Sequence, residues 1–405
     1  MATTKKSKHG HVTGIDAKVA RNINRSIVLN TIRRRQPISR AGISTITQLN
    51  KSTVSSIVEG LLEEDLLVEL PDRGGKVGRN PVNLTVRHGK HFVGAIALDS
   101  PCTRLAIIDI DGTIRGRDEI WTKAVSPQLL MPQCIARLDA LRATLGPHKF
   151  HGIGVSVAGI VDSAKSTVIY AANLGWSQVD LGSVIREIAP KVESVTVEND
   201  AKSSALAELL LGKHTVGTPD LIYLLLGAGI GAGITVNGRI LGGTSHAAGE
   251  VGHMTVVDGG EPCQCGNKGC WELYASERAP VRWFANAKYP KGAPSTLTLP
   301  DVVDAARAGD ADALHALQLW GQHIGVGIGD MIAILDPEVV IVGGAVTQIW
   351  DMIGEEINTS ARGRGAFTKA RATQILPTSL PDSPALLGAA ALSIRKVFAD
   401  FRIAL

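Results

Sequence analysis

Apolar residues in the first 65 positions recur at helical spacing in three successive segments. The first predicted helix covers Asn24–Arg35 and ends before Pro37, because proline lacks the N–H that a helix interior needs. Its apolar face is formed by Ile27, Val28 and Ile32. The spacing therefore predicts a helix that packs one side against neighbouring elements.

A short second helix and a longer third helix are expected next. Ser39 is the predicted N-cap of the second helix, which turns Ile43 and Ile46 inward. Asn50 is the predicted N-cap of the third helix, Lys51–Glu64. The buried face of this third helix comprises Val54, Ile57, Val58, Leu61 and Leu62, at spacings of three and four. The polar side chains of its first turns are left outward.

Two short apolar segments, Leu66–Leu70 and Val82–Val86, follow the third helix. The stretch between them is rich in Gly, Arg and Lys, which predicts a β-hairpin with a cationic tip. The cations of the tip are Arg73, Lys76 and Arg79. Helix, helix, turn, helix and hairpin in this order predict a winged helix-turn-helix domain, and a small helical packing domain is the alternative.

From His91 onward the pattern changes to strands, and one unit of it occurs twice. Apolar strands separated by tight turns are predicted at Phe92–Leu98, Arg104–Ile110 and Thr113–Trp121, and again at Leu221–Leu226, Ile230–Val236 and Arg239–Leu241. Buried strands recur at Gly152–Val157, Ser194–Glu198 and Val339–Val342. Helical segments are predicted at Pro127–Leu145, Leu181–Ile188, Ala201–Leu211, Leu314–Leu335 and Pro384–Phe398. The pattern predicts an internally duplicated α/β body.

Charge divides the chain at the same place. Residues 1–90 carry 16 Lys and Arg against 7 Asp and Glu, whereas the other 315 residues carry 26 against 31. A basic head on a mildly acidic body is typical of a protein that binds a polyanion, and a solvated basic tail is the alternative. The candidate DNA contacts are Lys51, Ser52, Thr53, Ser55 and Ser56 on the third helix and Arg73, Lys76 and Arg79 on the hairpin.

The overall composition fits a globular protein outside the membrane. Hydrophobic residues make up 44% and charged residues 20% of the 405 residues, which excludes wholesale disorder. The longest uncharged run, Leu221–Gly238, contains five glycines and reads better as strand, turn and strand than as a membrane helix. No apolar segment follows the lysines of the N-terminus, so a secretory signal is not expected. We expect a cytoplasmic protein.

Three of the five cysteines lie within eight residues and point to a metal site. Cys263, Cys265 and Cys270, with His253 ten residues upstream of the first, offer the N/S ligand set that Zn²⁺ prefers. Four protein ligands leave no open position, so we expect one structural Zn²⁺ per chain. The alternative is three unrelated buried thiols.

Four motifs together resemble the ROK family of sugar kinases and sugar-responsive repressors. They are Glu198-Asn199-Asp200-Ala201, the glycine run Gly227–Gly233, the segment Gly249–His253 and the segment Cys263–Glu272. The resemblance implies an actin-like, ribonuclease-H-like pair of α/β lobes, with a winged helix in the members that regulate transcription. We accordingly expect a flexible basic tail at 1–16, a DNA-binding domain at 17–88 and a sugar-binding body at 89–405, with lobes of about 89–200 (plus the C-terminal helix) and 201–383.

The resemblance also implies the residues of a sugar site. They are Gly159, Asn199, Asp200, Glu250, His253 and Glu272. Carboxylates and amides pair with sugar hydroxyls, which are costly to bury without partners. His253 is expected to use one ring nitrogen for zinc and the other for the sugar. For Asn199 and Asp200, which precede a predicted helix, helix capping is the alternative role.

Phosphoryl transfer would use Asp200 as base and Asp99 as Mg²⁺ ligand. The loop Asp99-Ser100-Pro101-Cys102-Thr103, however, lacks the glycines of the family's kinases, and Pro101 offers no N–H to a phosphate. We therefore expect a non-enzymatic repressor that is relieved by a sugar or sugar phosphate and that binds operator DNA as a homodimer or homotetramer. The alternatives are an ATP-dependent sugar kinase, alone or as one activity of a bifunctional protein, and an architectural DNA binder whose body binds no ligand.

Overall fold

The structure is a computed structural model that describes residues 17–70, 82–122, 125–214, 218–365, 373–380 and 383–398. Its contacts divide the chain into two compact units, the first comprising residues 1–87 together with Phe398 and the second residues 88–397. The expected basic tail at 1–16 and the hairpin tip with Arg73, Lys76 and Arg79 lie outside the described residues. Each unit has its own sheets and its own apolar core.

The first unit contains three helices and a small antiparallel sheet. The helices are α1 (Ala17–Arg35), α2 (Arg40–Thr47) and α3 (Lys51–Glu63). The strands β1 (Ile38–Ser39), β2 (Leu67–Leu70) and β3 (Asn83–Val86) form the order β1-β3-β2. The two predicted N-caps are confirmed, since the Ser39 side chain accepts from the Gly42 N–H and that of Asn50 from the Thr53 N–H.

Two predictions for this unit need correction. The first helix starts at Ala17, seven residues before the predicted Asn24. Ile46, which was expected to point inward, is 54% exposed, whereas Ile43 is fully buried. Three residues along a short helix rotate a side chain by about 300°, so Ile46 shares only the edge of the buried face with Ile43.

The second unit is built on two five-stranded sheets. The first has the order β11-β7-β4-β5-β6 and consists of β4 (His91–Leu98), β5 (Cys102–Asp109), β6 (Ile114–Trp121), β7 (Lys149–Val157) and β11 (Val195–Asn199). The second has the order β14-β13-β12-β15-β16 and consists of β12 (Leu221–Leu226), β13 (Ile230–Val236), β14 (Arg239–Ile240), β15 (Val339–Gly344) and β16 (Gln374–Pro377). In each sheet the first strand along the chain, β4 or β12, begins an antiparallel run of three strands on one side. On its other side it pairs in parallel with a later strand, which in turn pairs in parallel with the last strand. The predicted duplication is therefore present in the topology.

A third, three-stranded sheet was not predicted from the sequence. It has the order β10-β9-β8 and consists of β8 (Ile160–Asp162), β9 (Thr167–Ala171) and β10 (Trp176–Asp180). These strands are three to five residues long and alternate apolar and polar positions only briefly, so their pattern resembles that of a loop. They cover the turn that follows β7.

Nine helices of the second unit's described residues surround the sheets. They are α4 (Pro127–Ala143), α5 (Leu181–Ile188), α6 (Asp200–Leu211), α7 (Glu272–Ala275), α8 (Arg278–Lys288), α9 (Leu299–Arg307), α10 (Ala311–Leu335), α11 (Trp350–Arg362) and α12 (Pro384–Phe398). The longest, α10, packs along α11 and buries Trp320 and Ile328 against the second sheet's core. Within the described ranges, no helix combines the length and apolar character that crossing a bilayer requires.

Candidate functional site

The junction of β11 and α6 holds the first two predicted sugar residues. Asn199 caps α6, since its Oδ1 accepts from the Lys202 N–H at 3.0 Å. Its Nδ2 donates to the Gly159 carbonyl at 3.0 Å and to Asp200 Oδ1 at 2.9 Å. The capping role that was the alternative is thus real, and the same bonds fix Asn199 and Asp200 beside the turn at Gly159.

Gly159 is needed for this arrangement because the chain passes very close to a neighbouring strand. A Cβ added at Gly159 would lie 2.3 Å from the Tyr170 carbonyl oxygen of β9. Real Cβ atoms do not tolerate such a contact, so any larger residue would move the carbonyl that Asn199 holds.

Asp200 has an unusual carboxyl group. Burial, together with the nearby carboxylates of Asp99 and Glu250, raises its pKa to about 7, although backbone N–H groups oppose the shift. Neighbouring carboxylates cannot all ionise together at low cost. The Asp200 carboxyl therefore changes its charge within the physiological pH range. It can therefore both donate to and accept from a bound hydroxyl.

Glu250 belongs to the same acidic region, since its carboxylate acts on Asp200. Its side chain is open to solvent, yet the surrounding protein raises its pKa by desolvation, and Glu272 adds to the increase. His253 and Lys202 act in the opposite direction. Glu250 precedes a single 3₁₀ turn at Val251–His253, whose last N–H bonds back to the Glu250 carbonyl at 3.2 Å.

Glu272 is the third carboxylate of the set and is held by the glycine run. Its Oε2 accepts from the Ile230 N–H at 3.1 Å. A Cβ added at Gly229 would lie 2.8 Å from the same oxygen, so the absence of a side chain there lets the carboxylate approach the turn. Glu250 is thus in electrostatic range of both Asp200 and Glu272. We call Asn199, Asp200, Glu250 and Glu272 the acidic set.

The four predicted metal ligands converge. The ligand atoms of His253, Cys263, Cys265 and Cys270 all lie within 4.8 Å of one another. Cys265 Sγ and Cys270 Sγ are 3.6 Å apart, and Cys263 Sγ lies 3.9 Å from His253 Nδ1. A tetrahedral Zn²⁺ with bonds of about 2.1–2.3 Å separates its ligands by about 3.5–3.8 Å, so the spacing of these four groups fits a zinc ion.

Trp271, the residue between Cys270 and Glu272, anchors the metal-ligand segment in the apolar core. It is fully buried, and its Nε1 donates to the His323 carbonyl of α10 at 2.6 Å. The ring packs on Gly327, where an added Cβ would lie 2.1 Å from it. His253 lies three residues after Glu250, and Cys270 lies two residues before Glu272. A metal bound to His253 and Cys270 would therefore fix the two carboxylates as well.

Asp99 lies in the short connection between β4 and β5. β4 ends at Leu98 and β5 begins at Cys102, so only three residues connect the strands. The Asp99 carboxylate accepts from the Ser100 N–H at 2.7 Å. The connection is therefore a short hairpin turn, one of whose N–H groups is already used.

In the first unit, α3 presents the predicted DNA-contacting side chains. Lys51, Ser52 and Ser56 are exposed, and Thr53 and Ser55 are half-buried. Ser52 Oγ donates to Asn50 Oδ1 at 2.8 Å, which holds the first turn of the helix. The opposite face is buried through Val54, Val58 and Leu61, so the polar face is the one left available to a ligand.

Reasoning from the sequence missed the role of Lys202. Its side chain is 3% exposed, and its Nζ donates to the His246 carbonyl at 2.7 Å. Burial lowers its pKa, while Glu198 and Glu250 oppose the shift. A lysine among alanines and serines of an apolar helix was the available signal, since lysine is almost never buried without a partner.

Comparison with known proteins agrees with these motifs. The family model described as "ROK family" matches residues 94–396. A xylose repressor of Bacillus spizizenii is 29% identical over 381 residues, which cover 94% of this chain and 97% of that protein.

Two solved structures are similar in fold. A ROK family transcriptional regulator described as a homologue of the E. coli MLC protein has a TM-score of 0.79 at 24% identity, covering 95% of this chain and 98% of that one. A ROK family glucokinase from Streptomyces griseus, in complex with glucose and AMPPNP, has a TM-score of 0.65 at 28% identity, covering 74% of this chain and 98% of that one. The regulator matches both units, whereas the kinase matches about three quarters of the chain.

Proposed function

The chain belongs to the ROK family, and from this premise we propose that it is a sugar-responsive DNA-binding repressor. Its N-terminal unit is a winged helix-turn-helix, in which α3 enters the major groove and the β2–β3 hairpin acts as the wing. The observation that carries the proposal is the coexistence of this unit with the acidic set in a second unit of different charge. A xylose repressor and a regulator of similar fold align over nearly the whole chain.

DNA recognition rests on the polar face of α3. Lys51 and the wing cations Arg73, Lys76 and Arg79 neutralise phosphates, and the hydroxyls of Ser52, Thr53, Ser55 and Ser56 reach base edges or phosphates. A palindromic operator bound by a homodimer or homotetramer places two such helices in successive major grooves.

The effector is a sugar or a sugar phosphate. Asn199, Asp200, Glu250, His253 and Glu272 contact its hydroxyls, beside the turn at Gly159. The Nδ1 atom of His253 is turned toward Cys263, which leaves Nε2 for the sugar. His253, Cys263, Cys265 and Cys270 would hold a zinc ion, and this coordination would fix the orientation of the His253 ring. Binding of the effector and of the operator are coupled, and each must alter the affinity for the other by the same factor.

The alternative is an ATP-dependent sugar kinase. Asp200, with its pKa raised to about 7, suits a general base for a sugar hydroxyl, and Asp99 lies near it. The short β4–β5 turn with Pro101 speaks against this activity, because it offers few N–H groups to a phosphate.

The decisive experiment measures operator binding by the full-length chain. A duplex selected from a random library is titrated at several salt concentrations, with and without a panel of pentoses, hexoses and their phosphates. Lys51→Ala should lower the slope of log K against log salt by about one, the value expected for one lost phosphate contact. Lys213→Ala, which removes an exposed cation of the second unit, should leave the slope unchanged.

A second measurement on the same samples separates the two candidates. ADP release is followed with Mg-ATP and each sugar. If no duplex is selected, and if a sugar stimulates ADP release that Asp200→Asn abolishes, the protein is a sugar kinase and not a repressor.

A further inference from the structure

The second unit contains a cavity of about 590 Å³ that none of the predicted sugar residues lines. It lies between the β8–β9 turn, α5, β11, the start of α6, the segment after β14 and the end of α12. Its volume is in the range of about 300–1,000 Å³ that small-molecule sites occupy. We call it the cationic pocket, after the five basic side chains that line it: Lys165, Arg186, Lys202, Arg395 and Lys396.

The charge of the cationic pocket contrasts with that of the surrounding body. One acidic side chain, Glu198, lines the cavity against these five cations. Residues 91–405 as a whole carry 26 basic against 31 acidic side chains. Like charges that converge on a cavity repel one another, so their concentration at this place favours the binding of an anion.

Asp162, outside the lining, lies 3.3 Å from the Lys165 ammonium, and Glu198 offsets part of the remaining charge through Lys202 and Arg395. Glu198 is 3% exposed and already accepts from Ser163 Oγ at 2.5 Å and from the Asn199 N–H at 2.7 Å. Burial raises the pKa of Glu198, whereas the Ser163 hydroxyl, the Asn199 N–H and Lys202 lower it. Arg186 and Lys396 are exposed, and each donates to a hydroxyl group, Ser183 Oγ at 3.1 Å and Ser194 Oγ at 2.6 Å.

An independent observation at the wall of the cavity concerns Thr196. This residue lines the cavity and is 5% exposed, and its Oγ1 finds no hydrogen-bond partner among the described residues. An unsatisfied buried hydroxyl costs about 1–3 kcal/mol, so such groups are rare and often mark the place of a ligand or water.

Glu198 and Asn199 turn their side chains to different sides of β11. Successive side chains of a strand point to opposite faces, and Thr196 and Glu198 line the pocket while Asn199 turns to Gly159 and Asp200. Neither Asp200, Glu250 nor Glu272 contributes to the cavity wall.

We propose that the cationic pocket is a second ligand site of the body, which binds the phosphate group of a phosphorylated small molecule. Arg186, Arg395 and Lys396 contact the phosphate oxygens, and Lys165 closes the outer side. Thr196 supplies a hydroxyl, and the remaining volume accommodates a moiety of about the size of a monosaccharide. The proposal is independent of DNA binding.

The test uses the full-length protein and inorganic phosphate as the probe. Phosphate binding is measured by calorimetry at constant ionic strength, with chloride as the balancing ion. The double variant Arg186→Gln/Lys396→Gln removes two exposed cations of the pocket and should weaken phosphate binding at least tenfold. The control Lys149→Gln/Lys213→Gln removes two exposed cations elsewhere on the same unit and should stay within twofold of the wild type.

Asp200→Asn separates the pocket from the sugar site, since phosphate binding should survive this change. Failure of wild-type protein to bind phosphate at 10 mM, equal weakening in both double variants, or loss of phosphate binding in Asp200→Asn would each overturn the proposal. Because none of these readouts involves a sugar or DNA, failure here leaves the proposed repressor function untouched.

Two further titrations identify the source of the phosphate. If glucose 6-phosphate binds the wild type more tightly than inorganic phosphate, and loses this advantage in Arg186→Gln/Lys396→Gln, the ligand is a sugar phosphate. If both bind equally and the double variant weakens both, the pocket takes free phosphate, which also supports the site.

Discussion

The acidic set and the cationic pocket show how one stretch of chain serves two regions of opposite charge. The acidic set collects Asp200, Glu250 and Glu272 around Asn199, and burial together with neighbouring carboxylates raises the pKa of Asp200 and of Glu250. The cationic pocket collects five basic side chains around Glu198. The two regions meet at β11 and the first turn of α6.

This difference shows that two adjacent residues of a strand can belong to regions of opposite charge, because their side chains point to opposite faces. Glu198 and Asn199 are neighbours in sequence, yet one faces the cationic pocket and the other the acidic set. Lys202 lies in the field of both, because Glu198 and Glu250 each act on its ammonium group. Variants can therefore disturb one region while the other serves as an internal control.

The largest effect is expected from loss of the metal. Cys270→Ala should abolish stoichiometric zinc, measured by elemental analysis, and weaken the binding of the best sugar in the panel at least tenfold. The physical reason is that Cys270 and His253 adjoin Glu272 and Glu250, so the carboxylates lose their fixed positions. Phosphate binding in the cationic pocket should change by less than twofold.

Cys134→Ala is the matched control for this variant. Cys134 is buried like Cys270 but lies in α4, far from the four ligands in sequence and outside their cluster. It should retain zinc and sugar binding. If Cys270→Ala retains its full zinc content, Cys270 is not a zinc ligand and the proposed metal site is wrong.

A smaller effect is expected from pH. Because the pKa of Asp200 is about 7, its ionised fraction rises about tenfold between pH 6 and pH 8. An ionised carboxylate is the stronger acceptor for a sugar hydroxyl, so sugar affinity should rise by up to about tenfold over this interval. Calorimetric titrations at several pH values measure the rise, and Asp99→Asn should move it to lower pH by removing a nearby carboxylate.

The same group has a signature in stability. Its pKa is raised from 3.8 to about 7 in the folded chain, so between these values the folded state binds a proton that the unfolded state has lost. Stability should accordingly fall as pH rises from about 4 to about 7, relative to Asp200→Asn, which lacks the slope. Parallel melting curves of the two proteins over this range would contradict the assignment.

The smallest effect concerns Thr196. Thr196→Val replaces an unpartnered hydroxyl by a methyl group of the same shape, and should raise the free energy of unfolding by about 1 kcal/mol without phosphate. It should also reduce the stabilisation that phosphate gives. Denaturant titrations with and without phosphate measure both quantities.

Thr235→Val is the matched comparison. Thr235 is a buried strand threonine of the second sheet, but its Oγ1 donates to the Pro219 carbonyl at 2.9 Å and accepts from the Leu221 N–H at 3.0 Å. The substitution there should destabilise the protein by about 1–3 kcal/mol, because it leaves a buried N–H without its partner. If the two substitutions change the free energy of unfolding equally, the argument from the unpartnered Thr196 hydroxyl is wrong.

The sequence by itself determined the features that depend on near neighbours in the chain. The caps at Ser39 and Asn50, the strands Leu221–Leu226 and Ile230–Val236 and the ligand spacing Cys263–Cys270 all follow from local rules of hydrogen bonding, alternation and coordination. The duplicated order of strands could also be predicted, because each copy repeats the same local pattern.

Only the tertiary structure decided which distant residues share one environment. Lys165, Arg186, Lys202 and Arg395 are separated by up to 230 positions, and no period or motif links them, yet they line one cavity. The raised pKa of Asp200 likewise depends on Asp99 and Glu250, which arrive from other strands and loops. Charge interactions and desolvation act through space and depend on the fold, which a reading along the chain does not contain.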